Sequence, residues 1–379
     1  MDPLTHTFLG GALAESGLKR RSALATATLM LGANLPDVDV LSYVWGSDAA
    51  LGFRRGWTHG VLAMVVWPFV LTLLMLAVDR WLRRRRSDPG PPADPRQLLL
   101  LYAVAIWSHP LLDWLNTYGV RVLMPFRGDW FYGDALFIID PWVWLMLGGV
   151  LFLAHSTSRR ALVAWAVLGA LLTAVVWLGS GPFPWARFVW LAAVAGLVVA
   201  RRFELTDARR RALARSALAA AALYAAGMVA LTGWTAERVR GALDDAGIVA
   251  VGPLMVGPDR IDSLARRVVV PAEGAYRFGS YHPLREPAWR LEAERPLLAS
   301  DGIRVDASEL VERARGAHCV HGMVNWLRYP FYEVDPEPDG GATVYLLDAR
   351  YTRDRATRGI GGAAVQLPAD GEPLCAVER

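Results

Sequence analysis

WSHPLLDWLNTYG, residues 107–119, closes an apolar run that begins at Gln97, and its reading decides the fold. A run of bilayer length has no obvious place for His109, Asp113 and Asn116, because an unsatisfied polar group in lipid costs on the order of several kcal/mol. A metal ion, a structural network or a wet cavity would satisfy them. His109 and Asp113 stand i, i+4 and share one helix face, with Asn116 a turn further on.

The rest of the chain argues for a membrane. Of its 379 residues 54% are hydrophobic and 16 are Trp. That length allows two domains. Apolar blocks at residues 60–82, 97–118, 141–154, 161–179, 185–200 and 214–234 read as six spans, since a span needs roughly 20 residues, or about 17 when tilted. Residues 5–14 and 22–35 are shorter and read as a re-entrant or half-buried helical hairpin.

Charge divides the chain and orients it. Residues 1–234 carry 22 Lys+Arg against 14 Asp+Glu, net +8, and residues 235–379 carry 18 against 22, net −4, which together give the chain's +4. The excess lies in short loops: KRR (19–21), RRRR (83–86), RR (159–160) and RRF…RRR (201–211). By the positive-inside rule these loops face the cytoplasm. The spans then alternate, and residue 1 and the segment after 235 lie outside. The first apolar stretch has no basic residue before it and three after it, the reverse of a cleaved export signal.

After residue 235 a helix at 235–246 is followed by strand-like runs, ARRVVVP, AYRFGSY, ATVYLLDARY and GGAAVQL. Between them SELVERARG reads as a helix and PEPDGG as a turn. The expected fold is mainly α: a polytopic transmembrane helical bundle, residues 1–234, with a C-terminal α+β extramembrane domain, residues 235–379. Cys319 and Cys375 both fall in this tail, where a disulfide and two buried thiols are both open.

Three histidines follow a hydroxyl residue: LTHTF (His6), GWTHG (His59) and WSHPL (His109). Carboxylates near them are Asp37 and Asp39 in NLPDVDVL, and Asp113. The topology, drawn from Arg and Lys alone, carries all six towards the outer face. His109 lies about 18 Å along its span, and Pro36 ends the preceding helix so that Asp37 and Asp39 can approach from a loop. Three His and three Asp suit one or two divalent ions, Zn²⁺ first, with Mn²⁺ or Fe²⁺ behind.

Singly, each has a structural alternative: Asp37 a helix cap, His59 an interfacial helix start, His109 and Asp113 a neutral hydrogen bond. Their convergence favours metal. Arg55, four residues before His59, and Asn116 are placed to orient an anionic oxygen. Asp140 is a candidate partner of the site or an N-cap ahead of Pro141. HCVH (318–321) has metal-type residues but no second ligand pair. No P-loop, dinucleotide fingerprint or nucleophile elbow occurs. The aromatic-interleaved basic surface of a nucleic-acid binder is missing from the N-terminal segment as well.

THTFLGG, LPDVD, RGWTHG, HPLLDWLNTYG and FIIDPW, in this order over residues 1–145, resemble the YdjM-type family of inner-membrane metal-dependent hydrolases. RRVVVPAEGAYRFGSY, RYPFYEV and VYLLDARY resemble its longer members. The resemblance implies a multi-pass bacterial inner-membrane hydrolase with His6, Asp37, Asp39, His59, His109 and Asp113 at the family's polar positions. More distantly, the His-x₃-Asp helix motif and the early histidine are similar to helical zinc phospholipases C and single-strand nucleases. The expected function is hydrolysis by a metal-activated water attacking a phosphoester or related ester of a membrane lipid or lipid-linked substrate. Arg55, Asn116 and Asp140 would serve as catalytic residues. The alternative is a non-catalytic metal-binding scaffold, or a metal-handling protein whose tail binds a partner.

Overall fold

The computed structural model describes residues 1–379 except 89, 180–184, 301–306, 358 and 376–379. The chain is mostly helical and divides into two compact units. One comprises Met1–Val38, Arg55–Thr232 and Gly257–Leu264; the other comprises Asp39–Arg54, Gly233–Val256 and Ala265–Arg379. Across the boundary read at residue 234, residues 39–54 group with the tail and residues 257–264 with the helical unit.

The helices in chain order begin with α1 (Pro3–Glu15), α2 (Ala25–Asn34), α3 (Ser47–Phe53), α4 (Val61–Arg84) and α5 (Pro95–Trp114). Next come α6 (Pro141–His155), α7 (Arg159–Gly179), α8 (Trp185–Ala200) and α9 (Asp207–Asp245). A 3-10 helix, Leu35–Trp45, continues from α2. Three starts share one local code, Asp followed by Pro. Asp2, Asp94 and Asp140 each accept two backbone N–H bonds at the head of α1, α5 and α6. The proline that follows has no N–H to leave unpaired.

Small residues bring the helices of this unit close. A Cβ on Gly10 would stand 2.7 Å from the carbonyl oxygen of Leu29, so α1 lies almost backbone to backbone on α2. A Cβ on Gly32 would stand 2.9 Å from that of Ala105, which brings α2 equally near α5.

Helices α4, α7 and α9 are long and apolar enough to cross a membrane. Against the expected six spans, α6 and α8 are apolar but have only 15 and 16 residues. The 20 residues of α5 include the polar groups of its last two turns. Helix α9 runs unbroken for 39 residues, where the sequence suggested a span and then a separate helix. It contains no proline, and its glycines are tolerated in a helix interior.

Two sheets form most of the second unit, the last two residues of their first strand being grouped with the helical unit. β1 (Met255–Pro258), β2 (Arg266–Ala272), β3 (Ala275–Tyr281) and β4 (Trp289–Pro296) form the first, in that order. β5 (Leu298–Ser300), β6 (Pro330–Pro336), β7 (Ala342–Asp348), β8 (Gly362–Leu367) and β9 (Leu374–Cys375) form the second, also in order. Strands β5 and β6 are parallel, whereas β2–β3, β3–β4, β6–β7, β7–β8 and β8–β9 are antiparallel. Val269 and Phe278 of the first sheet share a core with Phe331 and Leu347 of the second. Helices α10 (Ala307–Arg315) and α11 (His321–Trp326) complete the unit.

A disulfide joins Cys319 to Cys375 and closes the thiol question. It also removes HCVH as a thiolate site, since its cysteine is bonded elsewhere.

Candidate metal centre

Four side chains point their ligand atoms at one place. Asp37, on the 3-10 helix, His59, just ahead of α4, and His109 and Asp113, on α5, present donors that all lie within 4.8 Å of one another. The Nε2 atoms of His59 and His109 are 3.1 Å apart. Asp113 Oδ2 is 3.1 Å from His59 Nε2 and 3.3 Å from His109 Nε2. Asp37 Oδ1 stands 3.9 and 3.7 Å from the same two nitrogens. His59, His109 and Asp113 have fully buried side chains, and that of Asp37 is 13% exposed, so the cluster opens on the Asp37 side.

The hydrogen bonds around the rings fix what faces inward. His109 Nδ1 is 2.6 Å from the carbonyl oxygen of Ala33. A carbonyl only accepts, so Nδ1 carries a proton, and in the neutral imidazole Nε2 then has its lone pair free for the point that the four donors face. His59 Nδ1 is held by the hydroxyl of Thr58 at 2.9 Å. Both rings are anchored from behind, with their Nε2 atoms aimed at one point, as ligating histidines are.

His6 lies flat against His109, ring centroids 3.7 Å apart. Its Nε2 is 3.4 Å from Asp113 Oδ1, yet among the described residues neither ring nitrogen makes a hydrogen bond. The imidazole is completely buried, which makes that vacancy of partners costly.

Asp113 Oδ1 takes the charge partners. Arg55 Nη2 stands 3.2 Å from it, and the amino group of Met1 also donates to it. Arg55 is 2% exposed. Its Nη1 reaches the carbonyls of Asp113 and Gly119 at 3.4 Å and Asn116 Oδ1 at 3.3 Å. Asn116 Oδ1 accepts from Tyr118 N as well, while its Nδ2 has no hydrogen-bond partner among the described residues.

Two sequence candidates are placed elsewhere. Asp39 belongs to the second unit, where its carboxylate pairs with Arg54 Nε at 3.3 Å. Asp140 caps α6, accepting from Trp142 N and Val143 N at 2.9 and 3.1 Å and from the Tyr224 hydroxyl at 3.0 Å. The hydroxyl-before-histidine pattern serves the site only at Thr58. Thr5 instead donates to Asp2 Oδ2, and Ser108 to the carbonyl of Ala105. The Ala33 carbonyl carries no side-chain signal and is invisible to a residue-type search.

The donor set fits a divalent ion. Donors about 2.1 Å from a tetrahedral ion lie about 3.4 Å from one another. The five separations above run from 3.1 to 3.9 Å. Two imidazoles and two carboxylates, beside a buried imidazole that makes no hydrogen bond among the described residues, are a donor set of the kind that holds a cation.

Two curated proteins match part of the chain. YfhP of Bacillus subtilis (strain 168), described only as an uncharacterized protein, is 24% identical over 153 residues, or 38% of this chain and 43% of YfhP. Alx of Photorhabdus laumondii subsp. laumondii, which bears the name of a membrane-bound redox modulator, is 27% identical over 140 residues, or 34% of this chain and 42% of Alx. The chain thus spans less than half the length of either curated relative. No solved structure matches it. The family model described as YdjM inner membrane protein matches residues 1–183, the stretch that holds every donor of the cluster. Residues 1–183 of this membrane protein, just under half of the chain, are therefore similar to the YdjM inner membrane protein family.

Proposed function

We propose that the chain is a membrane-bound, metal-dependent hydrolase acting on a phosphoester or related ester of a lipid-linked substrate. The observation that carries this is the convergence of Asp37, His59, His109 and Asp113, with the His109 Nε2 lone pair fixed by its Ala33 bond. Those four residues hold the ion, and mixed nitrogen and oxygen ligation favours Zn²⁺ over Mn²⁺ or Fe²⁺. When bound, the ion lowers the pKa of a water and polarises the ester. Arg55 neutralises Asp113 and keeps Oδ1 turned away from the donors, which makes it a positioning residue. Asn116 Nδ2 is the donor left to meet a developing anionic oxygen. Substrate enters on the Asp37 side, where the cluster has its exposure.

The test is turnover by the purified full chain, loaded with Zn²⁺ or Mn²⁺, on phospholipids, polyprenyl phosphates and chromogenic phosphodiesters. Activity on one class, abolished in His59→Ala with helical content retained, is the expected result. Metal-loaded, folded protein that turns over nothing on that panel replaces this reading with the non-catalytic one.

The second unit is placed outside the cytoplasm in this proposal. The basic loops argue for it, and so does the disulfide, because reducing cytosol keeps thiols apart. An impermeant maleimide applied to intact cells is expected to label Ser300→Cys and spare Ser87→Cys. The opposite pattern inverts the map.

A further inference from the structure

A cavity of about 930 Å³ opens in the helical unit between α6, α7 and α8. That is the upper range of small-molecule sites. Its walls are almost wholly apolar, with Trp165, Trp177 and Trp190 among them. One end is different, since Arg201 and Arg202 both line it and no carboxylate does. Arg201 donates from Nε and Nη2 to the carbonyl of Ser156. The guanidinium of Arg202 is exposed, and among the described residues neither arginine is paired with an acid. From Trp190 to Arg201 is eleven residues of helix and turn, or about 16 Å, which matches much of an acyl chain.

An apolar slot of this length with two uncompensated cations at its mouth selects an amphiphile with an anionic head. We propose that the groove binds one anionic phospholipid, with its chains between α6, α7 and α8 and its headgroup on Arg201 and Arg202. A zwitterionic lipid offers the same tails and phosphate but brings an ammonium to a cationic mouth. The site shares no residue with the metal cluster and does not depend on it.

Gly169 of α7 supplies the means to close it. It lines the groove, and a Cβ there would meet nothing within 4 Å. The Cβ of a larger side chain has room there, the rest of that side chain enters the slot, and helix propensity rises. The experiment is native mass spectrometry of the delipidated full chain given equal amounts of dioleoyl phosphatidylglycerol and dioleoyl phosphatidylcholine. One phosphatidylglycerol adduct is expected, in at least about fivefold excess over phosphatidylcholine. Arg202→Gln should lower its retention about fivefold. Gly169→Phe should remove it with helical circular dichroism unchanged, and Gly169→Leu repeats that test with a smaller side chain. Equal retention of the two lipids overturns the proposal, as does full retention in both Gly169 variants.

Discussion

Replacing His109 with alanine is expected to weaken divalent-metal binding by at least about 100-fold. Removing even a partner behind a ligand costs 10- to 100-fold, and here a ligand itself is lost. Purified wild-type protein should retain at least one divalent ion per chain by elemental mass spectrometry after dialysis. His109→Ala should retain a small fraction of that. Two controls sharpen the result. His155 pairs with Glu15 at 3.1 Å, apart from the donors, and His155→Ala should keep its metal. Asp39→Ala should keep it too, since Asp39 answers to Arg54. A wild-type chain that is metal-free and takes up no added Zn²⁺ sinks the centre. Loss of metal in Asp39→Ala restores the ligand set read from the sequence.

The other large effect is at Arg55. Arg55→Ala leaves the buried carboxylate of Asp113 without its guanidinium and strips donors from two carbonyls and Asn116. Breaking a buried pair from one side costs about 3–5 kcal/mol. Arg55→Lys keeps the charge but loses the planar fork that reaches several acceptors at once, so its deficit should fall between the two. Denaturant unfolding in detergent measures both. A loss under about 1 kcal/mol for Arg55→Ala would show that Asp113 draws its compensation from elsewhere.

Much of the site lies in plain view of the sequence because its residues sit where helices begin or break. Asp37 follows Pro36, His59 precedes α4 by two residues, and the i, i+4 pair needs only one helix. Choosing between Asp37 and Asp39 needed the backbone. On a 3-10 helix two residues lie about 240° apart, so the two carboxylates cannot face one point. Asp140 was decipherable by analogy within the chain, as the third Asp-Pro head after Asp2 and Asp94.

Strand β4 was not legible. WRLEAERP is charged and largely exposed, and it forms a strand through its pairing with β3 rather than through a buried pattern. The disulfide joins residues 56 positions apart, a distance that no local pattern encodes.

The bond from His109 to the carbonyl of Ala33 has a mechanical side. It fastens a ligand on one helix to the backbone of another, in the last turn of α2. The aim of Nε2 is therefore a function of how far α2 lies from α5. That spacing is held by Gly32, next to Ala33 and close against Ala105. Packing between two helices and the direction of one imidazole are thus a single quantity, and a change at position 32 reaches the cluster although Gly32 is none of its donors.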